Sequence, residues 1–368
     1  VILAVALVIL ASPAYAGFHA ADQLYIPIVA ATTGINASEW HSDLILTNVD
    51  DTDVDVAIIF LPSGLFSNSS RYNDRSLMLG GRADDGFGAT DSALLDDRLA
   101  DIPPGGTVVL EDVAGVHWGG ADGIAGNGGL VIFAYESGSL QDDGTRVFRS
   151  IVAMSRIYNV GTIWQPDPDT EGAFIEEPAT YGQTVPAVPW YELAYSEEQT
   201  SERDLGSEIL LGGTEDSAYR YNFGILNASD PLTQLSILVQ PFKADGSPFL
   251  DADGNEIRRL ILVPPGAHLN YTKVLSSLFG LDPETDDLHN VTLKLTWSSF
   301  ESTSAAPVPA FTSYGSLVDE VSNDPTTVLP SFPDTYDIDC VWNGVCPDAG
   351  GGTKVRPTAR RPLEIPSR

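Results

Sequence analysis

Residues 103–119 read PPGGTVVLEDVAGVHWG, and residues 264–280 read PPGAHLNYTKVLSSLFG. The two align without a gap at a shift of 161. In each, Pro-Pro-Gly cannot continue a β-ladder, so it ends one strand and turns the chain. A short strand follows, TVVL in one stretch and HLNY in the other, and then one or two helical turns. Glu111 and Asp112 sit where a helix start favours negative charge, and Thr272 is the expected cap of the second turn. Val113, Val274, Trp118 and Phe279 are expected to face a core, with Gly119 and Gly280 stopping the turns. Each helix is read as a plug closing one end of a β-structure. A binding element around His117 and Trp118 is the alternative, but the second stretch carries Leu278 and Phe279 there, which favours packing.

The echo continues outward. SEWHSDLILTN (38–48) matches SAYRYNFGILN (217–227) at a shift of 179, so that Trp40 answers Tyr219 and Asn48 answers Asn227. VAMSRIYN (152–159) falls on TSYGSLVD (312–319) at a shift of 160. The change in shift places extra residues between Pro62 and Pro103, rich in Gly, Ser, Asn and Asp, which read as a long surface loop over 63–100. Two halves with one order of landmarks mean a duplicated domain. VTLKLTW (291–297) alternates as a half-buried antiparallel strand does. TDVDVAIIFLP (52–62), GGLVIFAYE (128–136) and QLSILVQPF (234–242) are further strands, separated by Gly, Pro and Asp clusters. The expected fold is all-β: two antiparallel β-sandwich domains in tandem. Copy 1 covers 17–165, an acidic junction covers 166–182, copy 2 covers 183–330, and a C-terminal segment with a basic tail covers 331–368.

The first residues, VILAVALVILASPAYAG, read as a signal peptide over 1–16, with Ala14-Tyr15-Ala16 as the cleavage site. No initiator Met or basic region stands before it, so the sequence reads as truncated at its front. The protein is expected to be exported, to the periplasm, the cell surface or beyond. No later run is long and apolar enough for a membrane helix. Cys340 and Cys346, in CVWNGVC, read as a local disulfide in an oxidising compartment. A net charge of −32 repels nucleic acid and excludes that partner.

Catalytic signatures are missing: the sequence holds no G-x-S-x-G, no H-E-x-x-H and no phosphate-binding glycine loop. Trp40-His41-Ser42-Asp43 contains triad residue types, but neighbours on a strand point to opposite faces. The protein is therefore expected not to be an enzyme, with a glycan-acting hydrolase as the remote alternative. Ca²⁺ is the candidate cofactor. Asp167, Asp169 and Glu171 in the junction, and Asp251, Asp253 and Asn255 in DADGNE, are its candidate ligands. DDTDVD (50–55) is a third acidic cluster. Trp164, Trp190 and Tyr191 lie outside the strongest core strands and are the candidate platform for a sugar.

The layout of strand, Pro-Pro-Gly turn and strand, with the FLPSG and KADG turns after long strands, resembles secreted bacterial proteins with tandem immunoglobulin-like β-sandwich domains. The resemblance covers most of residues 22–330 and brings no catalytic residues with it. The reading as a whole is of a non-catalytic structural or adhesive protein, presenting loops, chiefly 63–100 and the 160–180 junction, to an unknown protein or glycan at the cell surface. A carbohydrate-binding module is the alternative.

Overall fold

The computed structural model describes residues 18–34, 38–64, 77–81, 94–119, 126–141, 145–166, 174–195, 207–305, 307–331, 345–347 and 353–355. Residues 1–16, read as a signal peptide, most of the 63–100 loop, Asp167, Asp169, Glu171 and Cys340 lie outside them. The first strands are β1 (Gln23–Ala30), β2 (Thr32–Thr33), β3 (Glu39–Asn48), β4 (Val54–Pro62), β5 (Met78–Gly80), β6 (Leu94–Leu95), β7 (Thr107–Leu110), β8 (Asn127–Glu136), β9 (Ile151–Pro166), β10 (Phe174–Pro186) and β11 (Val188–Pro189). There follow β12 (Ala194–Tyr195), β13 (Ser207–Gly213), β14 (Tyr219–Asn227), β15 (Thr233–Phe242), β16 (Arg259–Val263), β17 (His268–Tyr271), β18 (Val291–Ser302), β19 (Ala310–Asp319) and β20 (Pro325–Val328). A separate two-stranded sheet joins β21 (Val345–Pro347) to β22 (Thr353–Val355). The two short α-helices are α1 (Val113–Trp118) and α2 (Val274–Ser277).

The fold is all-β, as expected, and built of open antiparallel sheets, with β5–β6 the parallel pairing between strands. In the first half, the sheet β11-β1-β8-β4-β5-β6 faces the sheet β10-β9-β3-β2, in which β7 also pairs with β3. Leu24, Ile26, Leu44, Leu46, Ile58, Phe60 and Ile132 fill the space between them. In the second half, β12-β19-β14-β17 (with β20 on β19) faces β13-β18-β15-β16 around Phe223, Ile225, Ile237, Val239, Leu293 and Leu295. Strand β18 takes the face assignment its alternation requires: Val291, Leu293 and Leu295 are buried, while Thr292, Lys294 and Thr296 are half-exposed.

The quoted stretches occupy matching places. Strand orders β10-β9-β3-β7 and β20-β19-β14-β17 correspond, as do β1-β8-β4-β5 and β13-β18-β15-β16. Asp112 and Lys273, one shift of 161 apart, both enter their helix in the left-handed region, with φ of 44° and 53°. Asn48 and Asn227 close the ends of β3 and β14 in the same way. Asn48 Nδ2 donates to the carbonyls of Thr52 and Ile102, and Asn227 Nδ2 to those of Thr233, Val263 and Pro264. Both helices act as plugs. Val113, Val274 and Phe279 are buried, and Trp118 stacks on Phe60 with centroids 5.0 Å apart. The expected cap does not come from Thr272. Lys273 is the N-cap, and its ammonium has no acceptor atom, so the Glu215 carboxylate accepts from the N–H groups of Leu275 and Ser276 in its place.

The expected linker over 166–182 is only partly a linker. Residues 174–186 form a strand paired with β9 from Phe174↔Pro166 to Pro186↔Met154. Its prolines, Pro178 and Pro186, are tolerated because β10 is the edge of its sheet and need not donate on its outer side. The first sheet therefore extends beyond the expected boundary at 165.

A third apolar layer joins the halves. Tyr25, Ala57, Ile59, Leu61, Val131, Phe133 and Tyr135, on the outer face of β1, β4 and β8, pack against Leu193, Tyr195, Leu226, Ala228, Val308 and Ala310 of the second half. The backbone crosses the same boundary, where the Gly64 N–H donates to the His268 carbonyl at 3.0 Å.

Candidate functional site

Beside this seam lies a cleft of about 400 Å³. Its first wall is Ile28 and Ala30 of β1, Thr32 to Gly34, Trp40 of β3, Asn127 of β8, Ile157 of β9 and Gln183 of β10. Its second wall is Arg220 and Asn222 of β14, Asn270 and Thr272 around β17, Tyr314, Ser316 and Val318 of β19, and Pro325. The cleft exists because the two sandwiches meet there, and neither half forms it alone.

The charged groups of the cleft are spoken for. Arg220 is buried, with Nη1 2.8 Å from Glu320 Oε2 and Nη2 donating to Asn323 Oδ1 at 3.0 Å. Lys273 Nζ lies 2.8 Å from the other oxygen of Glu320. Burial pushes the Glu320 carboxyl up, but the hydrogen bonds from Lys273 and Arg220 outweigh it and hold it below its ordinary value. Behind the wall, His268 stacks on Tyr314 with centroids 5.9 Å apart. Its Nδ1 is 3.2 Å from Ser63 Oγ, and burial depresses its pKa to about 3, so the ring is neutral. The Tyr314 hydroxyl donates to Asn270 Oδ1 at 2.9 Å.

The amides are only half used. Asn222 Oδ1 accepts from the Lys273 N–H at 3.2 Å, and Gln183 Oε1 from Ser316 Oγ at 3.4 Å. Among the described residues nothing accepts from Asn222 Nδ2, Asn270 Nδ2 or Gln183 Nε2, and the Asn127 carboxamide has no partner. Trp40 is half-buried at the rim, its indole N–H donating to Ser38 Oγ at 2.9 Å.

The residues singled out in the sequence lie elsewhere. Trp190 Nε1 donates to Asp22 Oδ1 at 3.1 Å and the Tyr191 hydroxyl to the Ala20 carbonyl at 3.1 Å. The two rings meet edge to face and pin the chain's first described turn to the seam. Burial, with Glu192 and Asp22 nearby, raises the Tyr191 hydroxyl to about 12. Trp164 lies on β9 opposite Glu176, and its side chain is outside the description. Asp251, Asp253 and Asn255 form an exposed turn at Gly254, where Asp251 Oδ1 accepts from the N–H groups of Asp253 and Asn255, each at 2.9 Å. In DDTDVD, Asp55 is buried and accepts from the Asp101 N–H and Ser137 Oγ. Among the described residues no group of three or more His, Cys, Asp or Glu is gathered as metal ligands would be. His41 lies 3.2 Å from Asp112 on one face of β3, while Ser42 is buried on the other and accepts from the Ala30 N–H. The strand alternation thus separates the triad residue types.

One more ionisable group stands out. Glu208 of β13 is wholly buried inside the second sandwich, hydrogen-bonded to Ser313 Oγ, and burial raises its carboxyl to about 8.

Sequence reasoning named none of the cleft residues as a site, and met Trp40 only as a landmark of the repeat. The available signal was weak: Asn222 and Asn270 stand inside strands, where Asn is depleted. The chain matches no family model, and no curated protein or solved structure is significantly similar to it.

Proposed function

We propose that the protein is an exported, non-catalytic adhesive or structural protein built from an internally duplicated immunoglobulin-like sandwich. The observation that carries the reading is the apolar seam, which holds the two sandwiches as one body with a shared face. The matched strand orders and the paired left-handed entries at Asp112 and Lys273 support the duplication. Such a body presents its loops and its boundary to a protein or glycan partner at the cell surface or in a matrix. The dense acidic charge keeps it soluble and resists non-specific contact with nucleic acid.

Binding of labelled residues 17–368 to cells and to immobilised matrix proteins tests this reading. Saturable binding without turnover on a glycosidase and esterase panel is the expected result. Turnover, or no binding to any surface, would overturn it. Ca²⁺ is proposed as a stiffener at the acidic clusters. After EDTA, a rise in Tm specific to Ca²⁺, over Mg²⁺ and NaCl at matched ionic strength, is expected. An equal rise with every salt would be simple screening of the acidic surface.

A further inference from the structure

We propose that the cleft between the sandwiches is a binding site for an uncharged, hydroxyl-rich ligand, the end of a neutral saccharide. This rests on reading the protein as a surface-binding one and names the ligand chemistry. Four half-buried carboxamides, Asn127, Gln183, Asn222 and Asn270, bring unspent N–H donors into one concave space. A carboxamide both donates and accepts, which is what ring hydroxyls need from a partner. Trp40 supplies the aromatic wall on which the apolar face of a pyranose can lie. The volume falls in the range of small-molecule sites, and such sites favour domain boundaries.

Charge decides against other ligands. Arg220 is already committed to Glu320 and Asn323, so the described residues of the cleft offer a phosphate or carboxylate no free cation. A net charge of −32 repels anions before they arrive. Because both sandwiches contribute donors, a bound saccharide would also brace the boundary and stabilise the folded chain.

The test uses residues 17–368 on an array of neutral and acidic glycans, with the neutral hits measured by calorimetry. Among the described residues the Asn127 carboxamide has no hydrogen-bond partner, so Asn127→Ala is expected to leave Tm unchanged and weaken binding at least about tenfold. Trp40→Ala, checked by its melt, is expected to weaken it further, and Trp190→Ala to leave it intact. The proposal is overturned if no neutral glycan binds, or if the hits bind Asn127→Ala and Trp40→Ala as they bind the parent. Loss in Trp190→Ala alone would also overturn it, by moving the site to the seam. Cell binding that persists without any glycan binding would sink this inference and leave the adhesive reading standing. Glycan binding in the cleft without any cell or matrix binding would do the reverse.

Discussion

The sheets β1-β8-β4 and β13-β18-β15 share one strand order and differ in what covers their outer face. On the first, Tyr25, Ile59, Val131 and Phe133 are buried under the second sandwich. On the second, the corresponding surface carries Thr292, Lys294 and Thr296, and Leu211, Leu260 and Leu262 of the same sheet are 52%, 56% and 49% exposed. A strand covered on one face alternates, and a strand covered on both reads as a continuous apolar run. β18 is the first kind, and β4 and β8 are the second, with every residue of β4 buried. The same strand order therefore carries two hydrophobic patterns, because the two halves have different neighbours.

The sharpest way to break this comparison is to cut into the covered face. Phe133→Ala is expected to cost about 3–5 kcal/mol in chemical denaturation, as large core truncations do. A cost under about 1 kcal/mol would mean that the seam is not a core.

A second difference lies inside the sandwiches, since only the second holds Glu208. Its carboxyl is raised from an ordinary 4.5 to about 8. Across that window the folded chain keeps a proton that the unfolded chain has lost, so this group lowers stability as pH rises. Glu208→Gln is expected to be more stable than the parent above about pH 8, by a few kcal/mol on an order-of-magnitude basis, and to match it near pH 4. Paired melts across that range would settle it, and parallel curves would sink the prediction.

The two halves should respond alike where they are built alike. Asn48→Ala and Asn227→Ala each strand buried carbonyls and are expected to cost about 1–3 kcal/mol apiece. A large cost at one site and none at the other would break the equivalence. At the small end, Leu262→Ser removes a half-exposed side chain from the open face and is expected to change stability by less than about 0.5 kcal/mol. A loss comparable to that of Phe133→Ala would mean that the open face is covered in solution.

Much of this was legible in the sequence, for local reasons. The Pro-Pro-Gly turns, the alternation of VTLKLTW and the two plugs follow from backbone geometry and side-chain period. The strand over 174–186 was hidden by its prolines and acids, which mark a linker as readily as an edge strand. Thr272 was a fair local choice of cap, but Glu215, distant in sequence, took the role. Trp190 and Tyr191 looked free because sequence gives no neighbours, and the fold spends their polar atoms on Asp22 and Ala20.

The sequence by itself determined the strongest core strands and the Pro-Pro-Gly turns, because those depend on residues adjacent along the chain. The tertiary structure alone decided the seam and the cleft. Asn127, Gln183, Asn222 and Asn270 belong to four strands that nothing local brings together. They meet because burying the outer face of β4 and β8 fixes how the second sandwich sits on the first, and that choice is made by area removed from water, not by any motif.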